Sequence, residues 1–152
     1  MAKRKAAKTA RKVKAFSNRT ITGTFAYRFS GFSMDDNGNP YRLTGIGIFD
    51  LDAGGKLTGS QTSSLTAIKG MGAKHLHASY TLDGTYQIKS DGTGTALIDF
   101  TPQTPGSSAL KGYFDLMVPG KDKFWFISTK EVLPNGSEAD EVVEGEAIRQ
   151  AF

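Results

Sequence analysis

After the first nineteen residues, apolar and polar side chains alternate with a period of two, which predicts β-strands. The clearest segment is residues 20–31, in which Ile21, Phe25, Tyr27 and Phe29 share one face. Threonine, serine and arginine side chains occupy the other face. We therefore expect the first strand to bury its aromatic face and to expose the polar one.

Turns rich in glycine, asparagine, aspartate and proline separate seven further predicted strands, and no stretch after residue 20 has a helical period. Asp83–Gly84 predicts a bend or bulge inside one of these strands. The seven predicted strands span residues 41–50, 56–65, 75–89, 95–101, 110–118, 123–130 and 141–149.

Eight strands in sequence-adjacent hairpins predict an all-β domain, a single antiparallel up-and-down barrel over residues 20–152, with a β-sandwich as the alternative. We favour the barrel because closure removes the edge strands. Glycines inside strands also suit the strong coiling that closure requires. These glycines are Gly23, Gly45, Gly47, Gly112 and Gly145.

Charge divides the chain into a basic arm, residues 1–19, and a mildly acidic body. The arm has eight basic and no acidic side chains, which leaves eleven basic against fifteen acidic residues for the body. The arm has too few apolar residues to form a core, so we expect it to be disordered. One hypothesis is a solvated tail that aids solubility, and another is weak, sequence-independent contact with nucleic acid or another polyanion. The contact residues would be Lys3, Arg4, Lys5, Lys8, Arg11, Lys12 and Lys14.

A run of acidic side chains near the end of the chain is the counterpart of this arm. We expect the run to lie on an exposed face and to attract the arm at low salt, because the last strand of a closed barrel pairs with the first. The run consists of Glu131, Glu138, Asp140, Glu141, Glu144 and Glu146.

Two hairpin segments resemble a known group of proteins. Residues 47–59 read G-x-F-D-x-D-x-x-G-x-L-T-G, and residues 80–95 read Y-x-L-D-G-T-Y-x-I-x-x-D-G-T-G-T. They resemble uncharacterised small bacterial β-barrel proteins that are placed near the calycin or allene-oxide-cyclase-like barrels. The resemblance covers about residues 20–130, implies a barrel and brings no catalytic residues. An isomerase or cyclase function would rest on this fold analogy alone.

Candidate metal sites in the sequence are incomplete. His75 and His77 point to one side of a strand, but the carboxylate and further histidine of an H-x-H metal site are missing, so we expect no metal. Asp50 and Asp52 begin a calcium-like loop that lacks its glutamate, which favours a hairpin turn. The segment 35–39 is interpreted in the same way.

Motifs for catalysis are also missing, since the chain lacks a nucleophile elbow, a phosphate-binding loop and a zinc-protease motif. Asp99 and Asp115 would be general acids only if they faced an aromatic cavity. Alternation places both on the opposite, outer face. Whether the protein is an enzyme stays open at this point, although the sequence favours a non-catalytic role, and no cofactor is indicated.

The aromatic residues of the predicted inner face form either a filled core or the wall of a cavity for one small apolar ligand. The leading hypothesis is a non-catalytic barrel that binds such a ligand, and homo-oligomerisation stays open. Lack of an export signal and of an apolar run of about 18 residues predicts a cytoplasmic protein without a membrane span. The cavity residues would be Phe25, Tyr27, Phe29, Phe49, Tyr86, Phe100, Phe114, Phe124 and Phe126.

Overall fold

The computed structural model describes residues 14–34, 38–67 and 75–151. Eight antiparallel strands each pair with their neighbours in sequence, and the last strand pairs with the first, which closes an up-and-down barrel. The predicted barrel is confirmed, and the sandwich alternative is wrong. The strands are β1 (Gly23–Met34), β2 (Pro40–Leu51), β3 (Lys56–Ala67), β4 (His75–Ile88), β5 (Thr93–Pro102), β6 (Leu110–Gly120), β7 (Lys123–Val132) and β8 (Glu141–Arg149).

Alternation along the strands sorts side chains between the interior and the surface. On β1, Phe25, Tyr27 and Phe29 are buried, whereas Arg28 and Ser30 are exposed. The inward side chains of all eight strands form one hydrophobic core inside the barrel. Because the barrel is closed, each strand has a paired neighbour on both sides, although β7 pairs with β8 only from Lys123 to Ile127. The outer face meets solvent and carries exposed apolar side chains, such as Ile46 and Val142, as well as polar ones.

Glycines inside the strands make room for aromatic rings. Gly45 lies directly opposite Phe29 on the neighbouring strand, and Gly145 lies opposite Phe126. A Cβ atom on either glycine would overlap the opposing ring. Each ring therefore covers the backbone of the glycine that it faces, an arrangement that lets large rings fit inside a barrel of eight strands.

The prediction of a bend or bulge at Asp83–Gly84 is wrong, because β4 continues through this point without a register shift. Gly84 pairs with Leu57 on one side and with Ile98 on the other. A Cβ atom at Gly84 would overlap the carbonyl oxygen of Leu97. The glycine is needed for the close approach of β5, so its signal in the sequence does not indicate a break in the strand.

A single 3-10 turn, Asn18–Ile21, covers one end of the barrel, which we call the plugged end. Ile21 is fully buried, and the Asn18 side-chain oxygen accepts a hydrogen bond from the Ile88 backbone N–H at 2.8 Å. Before this turn, the Phe16 N–H donates to the Ser90 carbonyl at 3.2 Å and its ring packs against the core. The sequence placed these residues in the arm, but in the structure they form part of the barrel's plugged end.

Arg149, the last residue of β8, connects the plugged end to the rest of the barrel. Its guanidinium group donates to the backbone carbonyl of Thr22 at 2.6 Å, of Thr20 at 3.2 Å and, through Nε, of Lys121 at 2.9 Å. The same group lies 4.8 Å from the centre of the Phe25 ring. One planar, multi-donor side chain therefore satisfies three carbonyl groups from two separate segments, residues 20–22 and the β6–β7 turn.

Candidate functional site

The barrel encloses a cavity of about 130 Å³. Eight of the nine aromatic residues that the sequence placed around a cavity line it. The exception is Phe25, which is fully buried near the plugged end, with its ring edge-on to another ring of the cavity wall at 5.1 Å. The eight lining residues are Tyr27, Phe29, Phe49, Tyr86, Phe100, Phe114, Phe124 and Phe126.

Stacked and edge-to-face rings give the cavity a fixed wall. The Tyr27 ring stacks on Phe49 with centroids 3.9 Å apart and meets Phe126 edge-to-face at 5.8 Å. The Tyr27 hydroxyl donates a 2.9 Å hydrogen bond to the side-chain oxygen of Gln61. Burial raises the pKa of Tyr27, so this hydroxyl stays protonated.

Polar groups line the cavity near the end opposite the 3-10 turn, which we call the loop end. There β7 ends at Val132 and β8 begins at Glu141, so Glu131 and Glu141 lie at the same end of the barrel. Tyr80 and Ser63 line the same cavity from β4 and β3. The interior is thus apolar over most of its wall and carries its acidic groups at the loop end.

Glu131 and Glu141, which we call the carboxyl pair, interact directly through their side chains. Burial, then the negative charge of Glu141 and the hydrogen bond between the two carboxyl groups, raise the pKa of Glu131 to about 9. Burial also raises the pKa of Glu141, while hydrogen bonds from Glu131 and Ser33 oppose that shift. A hydrogen bond between two carboxyl groups needs a proton on one of them, and the raised pKa values of both residues favour a proton held by the pair.

Glu131 has an oxygen atom without a partner. The side chain is 4% exposed, and its Oε2 atom accepts no hydrogen bond from any residue that the structure describes. Within the described parts of the chain, no lysine, arginine or histidine lines the cavity to neutralise the carboxyl pair. A buried acceptor without a donor is costly, so this atom is a point at which a ligand group would gain a hydrogen bond.

Strict alternation in the sequence missed Glu131 because of a β-bulge. Tyr113 pairs with Lys130, but Phe114 pairs with Ser128, so Thr129 is an extra residue on β7. One extra residue reverses the phase of alternation, and Glu131 turns inward although Trp125 and Ile127 of the same parity face outward.

The prediction that the whole acidic run is exposed is therefore wrong for two of its members. Glu131 is buried and Glu141 is partly buried, and both line the cavity, whereas Glu138, Asp140 and Glu144 are exposed. Glu146 is also partly buried, but it does not line the cavity and accepts a 3.4 Å hydrogen bond from the exposed Trp125. The sequence did carry a signal for Glu141, since its parity on β8 matches the buried residues of that strand.

The aspartates considered in the sequence lie outside the cavity. Asp99 and Asp115 are exposed, as alternation predicted, and Asp99 lies 3.6 Å from the Lys111 ammonium group. Near the end of β2, Asp50 accepts a 2.6 Å hydrogen bond from the Thr24 hydroxyl, and in the β2–β3 turn Asp52 accepts one of 2.8 Å from the Lys56 N–H. The latter closes a hairpin turn, in line with the sequence prediction.

Other predicted positions lie partly outside the described residues. His77 is exposed on β4, and of His75 only the backbone position at the start of β4 is described. Of the basic arm, Lys14 is described and exposed; the other predicted contact residues and the turn at 35–37 fall outside the described residues. Within the described ranges, no group of three or more metal-ligating side chains is present. Nor does any helix in those ranges reach the length and apolarity needed to cross a membrane.

Comparisons with family models, with curated proteins and with solved structures return no match for this chain.

Proposed function

We propose that this protein binds one small, largely apolar molecule inside its barrel, without a catalytic role. The observation that carries the proposal is an aromatic cavity inside the barrel that ends in a buried carboxyl group with an unpartnered oxygen. Ligand sites typically combine an apolar wall with a few polar groups that fix orientation. The interior of this barrel has that composition.

The size of the cavity supports a small ligand. Its volume of about 130 Å³ is close to the roughly 150 Å³ of apolar protein cavities that accept one benzene molecule. A ligand of one six-membered ring with a short polar substituent matches this space. The substituent would point to the loop end, where the polar groups lie, and the ring would contact aromatic side chains such as Tyr27 and Phe126.

Thermal unfolding with toluene or benzyl alcohol tests the proposal. A ligand that binds only the folded state at a hundred times its dissociation constant stabilises it by about 2.7 kcal/mol. For a domain of this size that corresponds to a Tm increase of roughly 5–10 °C. Ala96→Leu adds methyl groups to the cavity wall and should reduce this increase.

Thr95→Leu is the matched control, because Thr95 is adjacent in the chain, faces outward and is exposed. It should leave the ligand-induced increase in Tm unchanged. Equal effects of the two substitutions would place binding outside the barrel. A Tm that does not respond to either ligand would contradict the proposal.

A further inference from the structure

The unpartnered oxygen of Glu131 limits what the ligand's polar group can be. Oε2 accepts no hydrogen bond from the described residues, and the side chain lines the cavity at 4% exposure. A carboxyl oxygen in this state requires a hydrogen-bond donor. A ligand whose polar group only accepts hydrogen bonds, such as an ether or a carboxylate, leaves Oε2 unsatisfied.

The charge of the groups that line the cavity limits the class of ligand further. No cationic side chain is present among the described residues of the cavity wall, so ionisation of the carboxyl pair leaves a negative charge without a partner. The other ionisable groups that line the cavity are Tyr27, Tyr80 and Tyr86, which are neutral when protonated. The ionised carboxyl pair therefore makes this interior negative, and one positive charge on the ligand would balance it.

The aromatic rings of the cavity wall also favour a ligand with a positive charge. The faces of tyrosine and phenylalanine carry negative electrostatic potential and attract cations within about 6 Å of the ring centre. An ammonium group has three donors and no acceptor, which complements acceptor oxygens of Glu131 and Glu141. The hydrocarbon part of such a molecule fits the remaining apolar wall.

We infer that the ligand is a small primary or secondary amine with one apolar ring, which binds as its ammonium ion to the carboxyl pair. This inference rests on the proposed function, because it specifies the ligand of the same cavity. Charge-assisted hydrogen bonds are about twice as strong as neutral ones. The carboxyl pair therefore favours the ammonium ion over a neutral group of the same shape.

Calorimetric titration of the full chain with three probes of similar shape tests the inference. Benzylamine is cationic, benzyl alcohol is neutral and benzoate is anionic near pH 7.5. We expect benzylamine to bind about ten-fold or more tightly than benzyl alcohol, and benzoate not to bind. Below the pH at which the carboxyl pair takes up its second proton, the preference for benzylamine should disappear.

Glu131→Gln and Glu141→Gln keep the size of the side chains and remove their charge. Each should lower the affinity for benzylamine about ten-fold or more while changing that for benzyl alcohol less than three-fold. Glu144→Gln is the matched control, because this exposed residue lies on the outer face of β8, three positions from Glu141. It should leave both affinities unchanged.

The outcomes separate the two proposals. If benzyl alcohol binds as tightly as benzylamine, or binds alone, the barrel binds small apolar molecules but the inference about amines is wrong. If none of the probes binds, both proposals fail. Should Glu131→Gln not fold, Glu141→Gln and the ranking of the three probes on the unchanged protein still decide the question.

Discussion

At the scale of single residues, the carboxyl group of Glu131 is buried inside the barrel and also lines the proposed ligand site. Burial opposes ionisation, and the neighbouring Glu141 adds a second negative charge instead of a compensating positive one. The folded protein therefore keeps a proton on Glu131 that the unfolded chain releases. A group that costs stability at neutral pH and leaves an oxygen unpartnered is typical of sites that bind ligands.

The contribution of Glu131 to the stability of the protein should fall as the pH rises. The pKa of Glu131 increases from its ordinary 4.5 to about 9 on folding, so between these values the folded state binds more protons than the unfolded state. The stabilisation that comes from this bound proton is fully present below pH 4.5 and is lost progressively up to pH 9, at about 1.4 kcal/mol per pH unit. From pH 5 to pH 7, the free energy of unfolding of Glu131→Gln should therefore rise by about 2–3 kcal/mol relative to that of the unchanged protein.

Urea unfolding at pH 5, 6, 7 and 8 measures this difference. Glu144→Gln, on the outer face, should follow the unchanged protein at every pH. A difference between Glu131→Gln and the unchanged protein that stays constant with pH would show that Glu131 ionises normally in the folded state.

Arg149→Lys should destabilise the protein although it keeps the charge. A lysine ammonium group cannot reach the carbonyls of Thr20, Thr22 and Lys121 with the fixed geometry of a guanidinium group. Hydrogen bonds to charged groups contribute about 1.5–3 kcal/mol each, so the loss should be at least about 2 kcal/mol. Urea denaturation measures it, and Arg28→Lys on the exposed face of β1 is the control. Equal midpoints for the two variants would contradict the role given to Arg149.

At the scale of strands, opposing glycines and aromatic rings decide how closely neighbouring strands pack. Phe29 and Gly45 are directly paired, and so are Phe126 and Gly145. Any side chain at the glycine would displace the ring that forms part of the cavity wall. The strand glycines therefore serve both the barrel and its cavity.

Gly45→Ala should lower the free energy of unfolding by about 1–3 kcal/mol, the usual cost of overpacking. The added methyl group would overlap the Phe29 ring and also lie 2.7 Å from the Thr62 carbonyl oxygen. Gly120→Ala is the control, because a Cβ atom there has nothing within 4 Å. Thermal unfolding compares the two variants. If Gly45→Ala is as stable as Gly120→Ala, the ring does not rest on the glycine.

At the scale of the whole molecule, closure is the dominant feature. β1 and β8 pair over nine residue pairs, from Phe25 with Arg149 to Ser33 with Glu141. A closed cycle of strands has no strand that is structurally first or last. The position at which the chain is cut therefore matters less than the presence of all eight strands.

A circular permutant tests this statement. Residues 14–151, joined end to end by a short flexible linker and opened at the exposed Asn135–Gly136 turn, should keep a cooperative transition with a Tm within about 5 °C. Removal of residues 141–152 should instead abolish cooperative unfolding, because it leaves β1 and β7 as unpaired edges. Circular dichroism on heating measures both. A permutant without a cooperative transition would show that closure depends on the natural chain order.

The amino-acid sequence favoured a barrel over a sandwich, and only the pairing of β1 with β8 decided between them. By itself it determined the eight strands, their order in antiparallel hairpins and most of the aromatic wall. These features follow from a period of two and from local turn residues, which act over a few positions. The outward direction of Asp99 and Asp115 follows from the same rule.

Only the tertiary structure decided which acidic residues face inward and where the folded part begins. The bulge at Thr129 depends on pairing with β6, and it turns Glu131 into the cavity beside Glu141. The packing of Phe16 depends on the end of a barrel that exists only once all strands are assembled. Local periodicity contains no information on such contacts, because they form between strands that are distant in the chain.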